Sequence, residues 1–353
     1  MPIATSTSTS DLAAPPPDLK RVASAEPPPP PTPAGPYPIG TPGVAWGDAE
    51  KRAWLARAHE VQRSYKTDVL EKLVPLTLKV MDVVPYGALS LDPARYPLFV
   101  VKTRRWEASK PSVLVTGGVH GYETSGVQGA ILFCQTKMVK YEKDFNIAVC
   151  PCVSPWGYEC VQRWNPACLD PNRHFVEDSR AEECAAVVKL VKELGIEQWC
   201  VHLDLHETTD SDATEFMPAR AARDGEVHEP EIIPDGFYLM GNKANPQLPW
   251  LQAIIDAVRG VTHVAPADSD NSIMGLPCLG DGIIVSDSRG KGKGATNATY
   301  AVTTEVYPDS PTRPVTGDAC NEAQVAAVCA ALDCVLAQRR VEAGVVEVDD
   351  EIE

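Results

Sequence analysis

The sequence predicts an α/β domain built on a mainly parallel sheet with helices on both faces. Three observations carry this. Short runs rich in β-branched and apolar residues are bounded by Gly, Pro or Asp. Stretches of helical period lie between those runs. The chain has 353 residues, 44% of them hydrophobic, which suffices for one large core.

The chain opens on a Ser, Thr, Ala and Pro-rich segment, residues 1 to 45, with five consecutive prolines from Pro27 to Pro31. Such a segment buries too little apolar surface to offset its ordering entropy and is expected to be disordered. It lacks the basic start and apolar stretch of a secretory signal. A single domain is expected over 46–345, followed by an acidic tail over 346–353.

From Asp48 to about Leu73, Trp54, Leu55, Ala58, Val61, Tyr65, Val69 and Leu73 recur at spacings of three and four, which predicts a helix ended by Pro75. Seven runs then read as strands: LTLKVMDVV, YPLFVVKT, SVLVTGG, NIAVCPCV, WCVHLDLH, GFYLMGN and YAVTTEVY. Helices are expected at about 124–141, 179–194, 246–259 and 318–341. Parallel strands need such crossovers, and burial on both faces explains why several runs are apolar throughout.

Composition narrows the function classes. Lys and Arg number 32 against 48 Asp and Glu, a net charge of −16, which repels phosphate backbones and anionic membranes. No run of 18 wholly apolar residues marks a membrane span. Eleven cysteines, an odd number, sit largely in apolar runs such as AAVCAALDCVL, where free thiols pack as small hydrophobes. A reduced, cytoplasmic protein is expected.

Reactive groups cluster at three strand ends. SVLVTGGVHGYETSG ends a strand at Gly117-Gly118 and then offers His120 and Glu123, whose imidazole and carboxylate both suit zinc. In WCVHLDLHETTD, His202, Asp204 and His206 alternate and share one face. His206 at the strand end is the natural third ligand, and His202, set deeper, reads as a hydrogen-bonded core histidine. In YAVTTEVYP, Glu305 is a lone carboxylate in an apolar strand, where burial would raise its pKa toward that of a general base. Arg163, Asn172 and Arg173 lie in the turn-rich segment between the first two clusters, and arginine forks match carboxylates.

This order of motifs resembles the zinc metallocarboxypeptidases, the carboxypeptidase A-like enzymes, over residues 117 to 305. The resemblance implies a twisted, mixed, eight-stranded sheet and a single zinc ion held by His120, Glu123 and His206. It implies Glu305 as general base and Arg163 as the group that polarises the scissile carbonyl. Asn172 and Arg173 would grip the substrate's terminal carboxylate, and Asp170 would orient the first zinc histidine. The substrate would be a peptide. One departure concerns a tyrosine that the family carries some twenty residues before the catalytic Glu. The interval PCLGDGIIVSDSRGKGKGATNATY has none at that spacing, leaving Tyr238 and Tyr300 as candidates.

Two alternatives stand beside this reading. The chain also resembles the succinylglutamate desuccinylase and aspartoacylase enzymes, which cleave N-acyl amino acids. Those append a β-rich domain, whereas here a long helical stretch follows Glu305. A non-catalytic binding module would have lost a ligand or the base, and all are present. The loop SDSRGKGKG, with Arg289, Lys291 and Lys293 among glycines, is expected to be flexible and solvated, or else a mobile lid drawing in acidic substrates.

Overall fold

A computed structural model describes residues 37–78, 81–230 and 232–344. Ten strands occur among these residues: β1 (Met81–Ala88), β2 (Pro97–Thr103), β3 (Ser112–Gly117), β4 (Asn146–Cys150), β5 (Val201–Glu207), β6 (Tyr238–Asn242), β7 (Ser272–Ile273), β8 (Leu276–Pro277), β9 (Ile283–Ser286) and β10 (Tyr300–Val306). β7 and β8 form a small hairpin. The other eight form one mixed sheet in the order β1-β2-β4-β3-β5-β10-β6-β9. Its centre, β4-β3-β5-β10, is parallel, as is the β6–β9 pair, and β1–β2, β2–β4 and β6–β10 are antiparallel.

The central strands β3, β4 and β5 are buried at every residue. One face is covered by the helices Thr124–Thr136, Leu248–Val258 and Gly317–Glu342, which pack on one another. The other face carries Glu182–Glu193, whose Cys184, Val187 and Leu190 join a separate cluster with Val100, Leu114 and Ala148. Both faces of the sheet are therefore apolar, as the continuous strand runs require. The Gly317–Glu342 helix is, among the described residues, long and apolar enough by composition to cross a membrane. Here its Ala323, Val328, Ala331 and Leu332 are fully buried in the core.

Several boundaries differ from the sequence expectation. The helix predicted over 48–73 breaks at Ala58 and resumes as a π-helix, Lys66–Leu70, that continues into a short α-helix, Glu71–Leu73. The turn Val74–Leu78 runs through Pro75, so Leu76 and Leu78 belong to a 3-10 helix and the first strand begins only at Met81. Proline is tolerated there because its missing N–H falls in the first turn. The edge strand β9 was not anticipated. Four residues among Gly, Asp and Ser are a weak signal.

Before position 46, Tyr37 donates a hydrogen bond to Glu215 at 2.9 Å, and Ile39 is buried in the core. Residues 1–36 and the acidic tail lie outside the described residues.

Candidate active site and metal centre

The parallel centre of the sheet ends where the expected ligands meet. After β3, Gly118 turns the chain with φ of 61°, a conformation that side chains rarely adopt, and its missing Cβ leaves room for Val127 and Cys152. His120 and Glu123 follow, with Glu123 at the cap position of the Thr124–Thr136 helix. His206 stands on the neighbouring β5. Candidate ligand atoms of His120, Glu123 and His206 all lie within 4.8 Å of one another, and all three residues are buried.

The rings are oriented from behind. His120 Nε2 lies 2.9 Å from Asp170 Oδ1, and His206 Nε2 lies 2.8 Å from Asp204 Oδ2. Asp204 in turn accepts from the Thr116 hydroxyl at 2.5 Å. These carboxylates can only accept, so each holds the proton on Nε2 and leaves the Nδ1 lone pair facing forward. His120 Nδ1 then lies 2.6 Å from Glu123 Oε1, and His206 Nδ1 2.8 Å from Glu123 Oε2. Glu123 Oε2 is buried and, apart from that close approach to His206, has no hydrogen-bond partner among the described residues. Two imidazole lone pairs and a carboxylate converging in a dry site repel one another unless a cation joins them. The donor set, two nitrogens and one oxygen, fits a metal ion.

The proton affinities express the same demand for a cation. Burial opposes charge on His206, but Glu123 and Asp204 outweigh it and hold its pKa well above the usual range. Glu123, despite burial, is drawn down to about 2 by His206 and His120. Asp170, also buried, is held well below the ordinary carboxylate range by Arg163 and His120.

Glu305 occupies β10 directly beside His206, its partner in the parallel register. Thr208 donates to its Oε2 at 2.9 Å and also contacts the Tyr238 hydroxyl at 3.0 Å. Burial pushes the Glu305 carboxyl up to about 7; His206 pulls the other way and Glu123 adds to the rise. Arg163 is pinned between two carboxylates, Asp170 Oδ2 at 3.4 Å and Asp212 Oδ1 at 3.1 Å. Tyr122 donates to both oxygens of Asp212, at 2.7 and 2.8 Å. The turn Pro171–Arg173 is capped by Asp170, which accepts from the Asn172 N–H, and it carries Asn172 and Arg173 to the cavity mouth. Asn172 spends its side-chain oxygen on the Gly292 N–H at 2.8 Å, leaving its NH2 group for a ligand.

The two candidate tyrosines part company. Tyr238 lines the cavity, whereas Tyr300 donates to Gln338 and packs on Trp250, away from it. His202 is fully buried between the hydroxyls of Thr116 and Thr296 at 3.3 and 3.1 Å, a core histidine as expected, and burial lowers its pKa to about 4. The Arg289–Lys293 loop is solvated only in part: Arg289 is exposed, and the residues after it pack on the protein. Gly290 O accepts from the Phe175 N–H, Gly292 lies on the Asp204 carboxylate, and Lys293 is buried. Its glycines read as flexibility, but they serve close packing.

Sequence reasoning assigned no role to Asp204, Tyr122, Thr208 or Asp212. Strand alternation had put Asp204 on the face of His206. The other three lie beside named motif residues but carry no spacing signal of their own.

No protein-family model and no curated protein matches the sequence. Solved structures do. A candidate metallopeptidase from Shewanella denitrificans OS217 superposes with a TM-score of 0.57 at 17% identity, covering 76% of this chain and 88% of that one. Another from Shewanella amazonensis SB2B gives 0.56 at 17% identity, covering 76% and 91%. Bovine thrombin-activatable fibrinolysis inhibitor, solved with tick carboxypeptidase inhibitor, gives 0.53 at 12% identity, covering 80% and 99%. The fold is carboxypeptidase-like. Within this carboxypeptidase-like fold, the buried His120, Glu123 and His206 form a site suited to a metal ion.

Proposed function

We propose that the chain is a zinc-dependent hydrolase that cleaves an amide bond next to a free carboxylate, in the manner of a carboxypeptidase. The observation that carries the proposal is the convergence of His120, Glu123 and His206 beside a buried, weakly acidic Glu305. His120 and His206 through Nδ1, with Glu123, would hold one zinc ion. Zinc in such a set supplies Lewis acidity, lowering the pKa of water and polarising a carbonyl. A cation there would also draw the Glu305 pKa down, keeping the base ionised near neutral pH.

The chain's own groups divide the remaining work. Arg173 and the Asn172 amide hold the substrate's terminal carboxylate. Glu305 takes a proton from the attacking water and returns it to the leaving amine, so amide and water become acid and amine. Arg163, oriented by Asp170 and Asp212, presents positive charge where the carbonyl oxygen becomes negative. Tyr238, at the cavity wall beside Thr208, is the tyrosine placed to donate to substrate.

The same proposal places the protein in the cytoplasm, where its eleven free thiols would stay reduced, acting on small substrates rather than nucleic acid or membranes.

The test is a panel of peptides and N-acyl amino acids, assayed with and without chelator, for wild type and Glu305→Gln. We expect release of C-terminal residues, abolished by chelator and reduced about 10²- to 10⁴-fold in the variant. Cleavage confined to N-acyl amino acids would move the substrate class to the deacylases with the same chemistry. A zinc-loaded protein that cleaves nothing on the panel would overturn the proposal.

A further inference from the structure

The cavity carries a cation, Lys291, that the hydrolytic machinery does not use. Its acidic groups are all engaged. Glu123 faces the two histidines, Glu207 accepts from the Ser125 N–H at 2.9 Å, Asp212 binds Arg163 and Tyr122, and Glu305 accepts from Thr208. At the opposite end Arg173 and Lys291 line the same cavity, and among the described residues neither forms an ion pair. Arg173 donates only to the Asn172 carbonyl, and Lys291 only to the Ser286 hydroxyl, at 3.3 Å.

Lys291 is held in place rather than left to roam. The Gly292 N–H is tied to Asn172, Gly290 O to Phe175, and a 3-10 turn, Gly292–Gly294, follows. Directly behind it Lys293 is fully buried and shares the Ser286 hydroxyl at 3.0 Å, its second bond going to Met240 O. Two ammonium groups therefore share one hydroxyl at the end of β9. Partial burial lowers the Lys291 pKa and the neighbouring Arg173 lowers it further, while Asp287 and Asp170 act in the opposite sense. In a chain of net charge −16, the cavity lining gathers Arg163, Arg173, Arg220 and Lys291. The same cavity is also lined by Tyr238, Met240 and Met274, with the Tyr238 hydroxyl 3.4 Å from the Met274 sulfur. An apolar-walled recess with an ammonium beside it suits a short side chain ending in a carboxylate.

We propose that Lys291 is a specificity-determining residue that binds a second carboxylate, so that the preferred substrates end in glutamate or aspartate. Resting on the hydrolase reading above, the assignment divides the substrate's two anionic groups. The terminal carboxylate goes to Arg173 and Asn172, and the side-chain carboxylate to Lys291.

Two measurements test it. The first compares kcat/KM for peptides identical except for a last residue of Glu, Gln or Leu, in wild type, Lys291→Met and Lys291→Arg. Wild type is expected to prefer Glu over Gln by about tenfold or more, as a charge-assisted hydrogen bond provides. Lys291→Met should collapse that ratio toward one, and Lys291→Arg should restore most of it. Equal treatment of Glu and Gln by wild type would overturn the assignment, as would a Lys291→Met variant that lowers all three peptides alike. The second measurement needs no turnover: calorimetric titration of the full chain with glutarate and with butyrate. Glutarate should bind at least about tenfold tighter, with the difference lost in Lys291→Met. Equal binding of the two acids overturns the assignment even if no peptide is cleaved. Tight glutarate binding without cleavage would instead count against the hydrolase reading alone.

Discussion

The two ends of one cavity are built on opposite principles. At the metal end each ligand comes from the sheet or from the turn that follows it, and each is fixed from behind. Asp170 holds His120, Asp204 holds His206, and Thr208 holds Glu305. The charges there are matched in pairs. At the opposite end Arg173 and Lys291 come from two loop turns held to each other by a backbone hydrogen bond, Phe175 N–H to Gly290 O, and by the Gly292 N–H donating to the Asn172 side chain, and neither cation forms an ion pair among the described residues. The comparison teaches that the sheet fixes its side chains from behind, whereas the packed turns place theirs through contacts with each other. The two ends meet at Asp170, which holds His120 and caps the turn of Asn172 and Arg173, and at Gly292, which lies against the Asp204 carboxylate: a Cβ at this position would fall 2.1 Å from Asp204 Oδ2.

The sharpest way to break the metal end alone is Asp204→Asn. The amide can donate to the ring, removing the preference for a proton on Nε2 of His206. Metal affinity, measured by competition with a chromogenic chelator, should fall about 10- to 100-fold. An unchanged affinity would remove Asp204 from the site's design.

Gly292→Ala attacks the joint between the ends. The added methyl group must displace either the loop or the carboxylate, at a cost of about 1–3 kcal/mol. The melting temperature should drop, and metal affinity should weaken although residue 292 offers no ligand atom. A drop in stability with metal affinity intact would show that the loop yields and the two ends are independent.

The smallest effect concerns a group behind both. Glu183, on the helix that packs under the Asp170–Arg173 turn, is buried with one oxygen unpartnered, and burial raises its pKa to about 7. Because the folded-state pKa lies above the unfolded one, its contribution to stability is full below about pH 4.5 and is lost as pH rises through about 7. Glu183→Gln should therefore raise stability relative to wild type at pH 8, on the order of 1 kcal/mol, and change it little at pH 5. Denaturant melts at the two pH values decide. An equal difference at both would mean that Glu183 does not titrate in this range.

Much of the metal end was legible in the sequence because its information is local. Alternation along β5 puts Asp204 and His206 on one face whatever the fold, and a strand ending in Gly117-Gly118 fixes where His120 and Glu123 can point. The helical and strand periods likewise announced the α/β layers. Edges and seams were less legible. The four residues of β9 are too few to show a period, and the chain between Ala58 and Met81 keeps apolar spacing while the backbone alternates among turns.

What only the tertiary structure decided is how each charge is spent. Arg163 is expected from the sequence to polarise a carbonyl, with no partner legible for it, yet Asp212, 49 positions away, holds it together with Asp170. Lys291 and Lys293 read as a solvated basic loop, yet one faces the cavity and the other is buried beneath it. Spacing along a strand fixes direction because the backbone is regular. Whether a long flexible side chain meets water, a carboxylate or a cavity wall depends on which distant segment packs against it, and that is settled only when the chain closes on itself.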